Sequence, residues 1–229
     1  MIRAFSLSLM VCASWAVAAE DVGPANTHAN ADKRAVFQYF QGLSVAPERR
    51  IVSGQFSNFG KEANLRSMTN VYKKTGHWPA IMGVDYADLG GGGLETAKPN
   101  KTAIAYWEQG GLVTVSAHLY NPANIHGGGL RDKGVDLTTL LTADNPTHTR
   151  WFQELDILAA GLQELRAAKV VVLWRPFHEM NGDWFWWGGK DPDTFIRLWR
   201  QMFDYFTIEK GLDNLIWVYS PNHGKKTAS

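Results

Sequence analysis

Trp174-Arg175-Pro176-Phe177-His178-Glu179-Met180-Asn181-Gly182-Asp183-Trp184-Phe185-Trp186-Trp187 joins the end of one structural element to an aromatic loop. The apolar, β-branched run that leads into it, Lys169–Pro176, reads as a strand. Behind the loop, Asp191-Pro192 pairs a cap residue with proline at the first helical position, which predicts a helix over Pro192–Ile208. A strand, a loop bearing one carboxyl group and a helix make one unit of an alternating fold. The same pattern recurs on both sides.

Strands are predicted at Ile51–Phe56, Ala80–Tyr86, Leu112–Leu119 and Asn214–Ser220 as well. Helices are predicted over Glu62–Thr75, Thr102–Gln109 and Pro146–Ala168, with an earlier helical spacing over Ala31–Leu43. Strand and helix in alternation imply parallel strands with right-handed crossovers, either in an open doubly wound sheet or in a closed barrel. A dinucleotide fold needs a G-x-G-x-x-G turn after its first strand, but Gly54 stands alone there and the Gly90–Gly93 run lacks the third glycine. Polar, glycine-rich and aromatic loops instead follow strands two, three and four, at Tyr86–Gly93, Tyr120–Gly129 and Phe177–Gly189. A barrel collects its active site at that end of its strands.

Composition narrows the function. The 229 residues carry 23 Lys and Arg against 22 Asp and Glu, so no basic footprint for nucleic acid or anionic lipid exists. Residues 1–19 read as a secretory signal peptide, with Arg3 near the start, an apolar stretch to Val17 and small residues at Ala16 and Ala18. That stretch is too short to span a membrane. Export to a secreted or periplasmic location is expected, with residues 20–30 as a polar linker and 31–229 as the folded part. Cys12, the only cysteine, falls in the leader, so a disulfide or thiol nucleophile is not expected. The ten tryptophans are the unusual feature.

His178-Glu179 is not the start of a zinc-protease H-E-x-x-H helix, because Gly182 occupies the second histidine position. No G-x-S-x-G elbow occurs. Sugars, by contrast, present C–H patches that stack on aromatic faces, and an apolar wall raises a carboxyl pKa because burial disfavours the charged form. A carboxylic acid so held can protonate a departing glycosidic oxygen, which makes Glu179 the candidate general acid/base. An Arg175–Glu179 ion pair with the tryptophans as plain core is the structural alternative.

The W-R-P-F-H-E-M-N-G-x-W-F-W-W-G pattern resembles the fourth-strand signature of glycoside hydrolase family 26, best known for endo-β-1,4-mannanases. Ile81–Tyr86, Val113–His118 and Trp217–Asn222 are similar to its second, third and fifth strands. The resemblance implies a (β/α)8 TIM-barrel fold, of which this chain holds about the first five units. It also implies retaining double displacement on mannan, galactomannan or glucomannan, with Glu179 as acid/base and no metal or cofactor. His178 is implied to organise the site, and His118 and Trp184 to contact sugar. Trp187 is placed with them as a substrate contact, and Trp186 as loop packing. Asp85 and Asp88 are candidate acceptors of sugar hydroxyls, with turn or cap roles as the alternative. The family's nucleophilic glutamate ends strand seven and has no counterpart here, so the chain reads as C-terminally truncated and inactive alone. A family 26 enzyme of other specificity, such as a β-1,3-xylanase or lichenase, and a non-catalytic mannan-binding fragment are the alternatives. The complete enzyme is expected to be a monomer whose partner is its polysaccharide. Asn100-Lys101-Thr102 fits the N-glycosylation pattern.

Overall fold

A computed structural model describes residues 23–89, 93–124, 131, 132 and 134–223. The expected leader at 1–19, Cys12 and the second half of the loop running to Gly129 lie outside the described residues. Five parallel strands form one sheet: β1 Gly54–Phe59, β2 Ile81–Asp85, β3 Leu112–Ser116, β4 Val172–Arg175 and β5 Leu215–Trp217. Their spatial order equals their chain order. A doubly wound sheet reverses its order at a switch point, whereas a (β/α)8 barrel adds each strand beside the last, so this order is the barrel's.

Helices α1 Ala31–Val45, α2 Arg66–Thr75, α3 Ala97–Trp107, α4 Thr138–Leu141, α5 Pro146–Ala167 and α6 Pro192–Asp204 accompany the sheet. The predicted helix starts at Pro146 and Pro192 have a local cause. Asn145 accepts from the His148 amide at 3.0 Å and Asp191 from that of Thr194 at 2.9 Å, in each case with proline just inside the helix. Helix α3 starts five residues before the predicted Thr102, with Pro99 in its first turn. The helix predicted from Glu62 divides into a 3-10 turn at Gly60–Glu62 and α2.

Strand ends also move. Ile51 is 95% exposed, and pairing starts only where Gly54 meets Ile81. At the other end, β3 stops at Ser116 because the His118 amide leaves the ladder for the Asp85 carboxylate, 3.1 Å away. A short antiparallel ribbon, Ala87–Asp88 with Gly93–Leu94, lies within the loop predicted after β2.

Two corrections concern polar segments. Part of the stretch expected as a linker is packed: Asn26 and Ala29 are buried, Asn26 donates to the Leu212 carbonyl at 3.2 Å, and the Asn30 amide donates to the Asp213 carbonyl at 3.5 Å. The Asn100 sequon is internal. Its side chain is buried, accepts from the Tyr86 hydroxyl at 2.6 Å and donates to the Gly161 carbonyl and Glu164, so no face is left for a glycan.

Register determines what the sheet presents. Val84, Val115, Trp174 and Trp217 align across four strands, and Trp174 and Trp217 both contact the ring of Phe206 beside α6. Because successive side chains alternate, the next row, Phe59, Asp85, Ser116 and Arg175, faces the opposite, concave side at the C-terminal edge.

Candidate active site

Glu179 stands four residues beyond the end of β4 in a backbone conformation with φ +58°, and Phe177 has φ +47°. Positive φ is costly for residues with a Cβ and persists only where surrounding contacts enforce it. Here the Glu179 amide donates to the Ser220 carbonyl at 2.7 Å, and the Gly182 amide donates to the Glu179 carbonyl at 2.9 Å. Asn181 and Asn222 bond reciprocally, side chain to backbone, at 2.9 and 2.7 Å. The strand-four loop is thereby tied to the segment following β5.

Trp184 folds back over Gly182, where an added Cβ would lie 2.3 Å from the indole ring. That close approach lets the indole N–H donate to Glu179 Oε2 at 2.8 Å. Glu179, Trp184 and Phe185 are half-buried, so a carboxyl group and two aromatic side chains share an accessible patch. Arg175 donates to the Ser220 hydroxyl at 3.3 Å, and no Arg175–Glu179 ion pair occurs among the described residues.

Beneath this patch lies a second aromatic layer. Trp186 and Trp187 are wholly buried, with their indole N–H groups donating to the carbonyls of Leu119 at 2.8 Å and His178 at 2.9 Å. Phe185 stacks on Trp187 with ring centroids 4.5 Å apart. Trp187 therefore offers no face to a sugar in this structure; it supports Phe185 and fixes the backbone just before Glu179.

Asp85, His118 and His178 form a chain that ends at the residue before Glu179. Asp85 Oδ1 accepts from the amides of Ala87 at 2.9 Å and His118 at 3.1 Å. Its Oδ2 accepts from Ser116 Oγ at 2.5 Å and lies 2.8 Å from His118 Nδ1. The His118 and His178 Nε2 atoms are 3.0 Å apart. Burial opposes ionisation of Asp85, but the hydrogen bonds from His118, Ser116 and the Ala87 amide outweigh it and hold the carboxyl below the ordinary carboxylate range. Burial, with the neighbouring His118 and Arg175, pushes His178 down to about 3. Asp85 is 0% exposed and its acceptor sites are occupied, which leaves no room for the sugar hydroxyl expected there. Asp88 pairs instead with Lys61 at 2.8 Å.

Phe59 and Ser116 are site residues that sequence reasoning missed. Phe59 packs edge-on against His118 at 5.4 Å, three residues past the predicted end of its strand. The two-residue spacing from Ser116 to His118 was the available signal, since it puts both on one side of a strand. Among the described residues, no group of three or more His, Cys, Asp or Glu is placed to hold a metal ion. No helix there is long and apolar enough to cross a membrane.

A family model described as glycosyl hydrolase family 26 matches residues 25–229. A mannan endo-1,4-beta-mannosidase of Bacillus subtilis strain 168 is 35% identical over 90% of this chain and 61% of its own length. The mannan endo-1,4-beta-mannosidase A and B of Caldalkalibacillus mannanilyticus is 34% identical over 96% of this chain and 46% of its own length. The chain thus spans about half to three fifths of these curated relatives. Among solved structures, a Bacillus subtilis mannanase superposes with a TM-score of 0.83 at 32% identity, covering 90% of this chain and 67% of that one. A mannanase from a termite's symbiotic protist, complexed with gluco-manno-oligosaccharide, gives a TM-score of 0.75 at 29% identity, covering 85% and 63%.

Proposed function

The chain belongs to glycosyl hydrolase family 26, and on that footing we propose that it supplies the acid/base half of a retaining endo-β-1,4-mannanase acting on mannan, galactomannan or glucomannan. The observation that carries this reading is the placement of Glu179: it follows β4 at the C-terminal edge of the sheet, half-buried, with the Trp184 indole N–H on one carboxyl oxygen. Trp184 and Phe185 offer ring faces to the sugar's C–H patches, while His118, whose two ring nitrogens are engaged by Asp85 and His178, can meet the sugar only with its ring edge. In the first step Glu179 gives its proton to the glycosidic oxygen as the bond to the anomeric carbon breaks. In the second it takes a proton from water. The exported location expected from residues 1–19 belongs to the same proposal.

Double displacement also needs a second carboxylate about 5–5.5 Å from the acid to attack the anomeric carbon. By the family pattern that glutamate ends a seventh strand, and five parallel strands are described here. We therefore expect the 229-residue chain to bind mannooligosaccharides and to release no reducing ends from mannan. Azide should restore turnover of a 2,4-dinitrophenyl β-mannoside: it attacks the anomeric carbon, 2,4-dinitrophenolate leaves with the bonding pair, and the product is the α-mannosyl azide. Robust mannan hydrolysis by this chain, abolished in Glu179→Ala, would keep the acid and overturn the missing nucleophile. Saturable binding unchanged in Glu179→Gln, with no azide product, would leave only a mannan-binding fragment.

A further inference from the structure

We propose that Asp85 is a positioning residue that sets the protonation of two histidines at once, holding His118 as its Nδ1–H tautomer and, through it, His178 as its Nε2–H tautomer. An ionised carboxylate can only accept, so the proton in the 2.8 Å contact between Asp85 Oδ2 and His118 Nδ1 belongs to the imidazole. With a single proton on the His118 ring, its Nε2 is bare. The facing His178 Nε2 is 3.0 Å away, a distance that requires one proton between the two nitrogens, and His178 must supply it. His178 Nδ1 is left bare, and it is the buried atom of this ring that has no hydrogen-bond partner. Burial is the largest cause that lowers the His178 pKa, followed by His118 and Arg175, with Asp85 acting the other way, and it keeps that ring neutral across the ordinary pH range.

The tautomer assignment stands on this geometry, with Asp85 ionised and each imidazole carrying one proton. Its consequence rests on the reading of Glu179 as the acid. His178 directly precedes Glu179, its carbonyl accepts the Trp187 indole N–H, and its ring packs against Phe185 at 5.3 Å. A defined tautomer fixes that ring, and with it the support of the acid and its aromatic neighbour. The same logic governs the buried aspartate of the serine-protease triad, where an amide in its place leaves the histidine in the wrong tautomer.

Asp85→Asn tests this sharply, because the two oxygen sites are not equivalent. Oδ1 faces two backbone amides that cannot reverse, so the amide oxygen must stay there. The new NH2 group must then face Ser116 Oγ and His118 Nδ1. Donation to Nδ1 moves the His118 proton to Nε2, and His178 moves its own to Nδ1 in turn. In 15N-histidine spectra of the 229-residue chain, with signals assigned through His118→Gln and His178→Gln, the wild type should show Nδ1–H for His118 and Nε2–H for His178. Asp85→Asn should exchange the protonated and bare resonances in both rings. Ser116→Ala, which keeps the carboxylate on His118, should exchange neither. A wild-type His118 in the Nε2–H form overturns the proposal even if Asp85→Asn does not fold. Unchanged tautomers in a folded Asp85→Asn variant overturn it as well. None of these spectra depends on mannan, so they separate this proposal from the mannanase reading.

Discussion

The two ends of the sheet bury ionisable groups in opposite ways. At the C-terminal rim, Asp85 is 0% exposed and receives donors from Ala87, Ser116 and both the amide and ring of His118. At the N-terminal base, Lys33 on α1 is also 0% exposed, yet its Nζ has no hydrogen-bond partner among the described residues. Asp213, the anion that favours its charge, is bonded to Arg166 at 2.7 and 3.2 Å. A groove of about 540 Å³ at this base is lined by uncharged residues that include Tyr39, Trp78 and Leu112. The rim holds its polar groups in fixed geometry through paired hydrogen bonds, whereas the base leaves a buried ammonium group without one.

Substitutions should separate the ends, beginning with the largest effect. Trp187→Ala removes a wholly buried indole from under Phe185 and frees the His178 carbonyl. Its expected cost is about 3–5 kcal/mol, read from chemical denaturation. The half-exposed Trp184 should cost about 1 kcal/mol or less on truncation while losing mannooligosaccharide binding. Equal stability losses for the two would erase the division into a supporting and a contacting layer.

Asp85→Ala strands several buried donors and should cost about 3 kcal/mol. A loss under about 1 kcal/mol would mean that water replaces the carboxylate and the rim is less fixed than its hydrogen bonds indicate. Lys33→Met should act in the opposite direction, with a gain of about 1–3 kcal/mol at pH 7, because it removes an unsatisfied buried group while keeping the aliphatic stem.

The Lys33 contribution also has a definite pH sign. Burial lowers its pKa from 10.5 to about 8, against the pull of Asp213. Between those values the unfolded chain holds a proton that the folded chain has released, so stability rises with pH across that window. Stability measured from pH 7 to 11 should show that rise in the wild type and a flatter profile in Lys33→Met. The same slope in both would move the titration to another group.

Several features were legible because their causes are local. Asn145-Pro146 and Asp191-Pro192 start their helices where expected, since cap and proline geometry depend only on neighbours in the chain. Other features were misread because their partners are distant in sequence. Asn26 looks like a linker residue until the Leu212 carbonyl comes beside it, and Asn100 looks like a surface acceptor until Tyr86, Gly161 and Glu164 surround it. Predicted strands overran at Leu119 and Pro176 because the His118 amide leaves the ladder for a distant carboxylate, Asp85, and Pro176 has no N–H to give.

The sequence alone determined the alternation of strands and helices, the family resemblance and the candidacy of Glu179, all carried by contiguous residues. Tertiary structure decided which aromatic rings face outward, and between the two readings of Asp85 it favours the turn, with the carboxylate bonded to Ala87, Ser116 and His118. That assignment depends on the register that brings Phe59, Asp85, Ser116 and Arg175 into one row across four strands. Register is set by packing between segments far apart in the chain, and no single stretch of sequence encodes it.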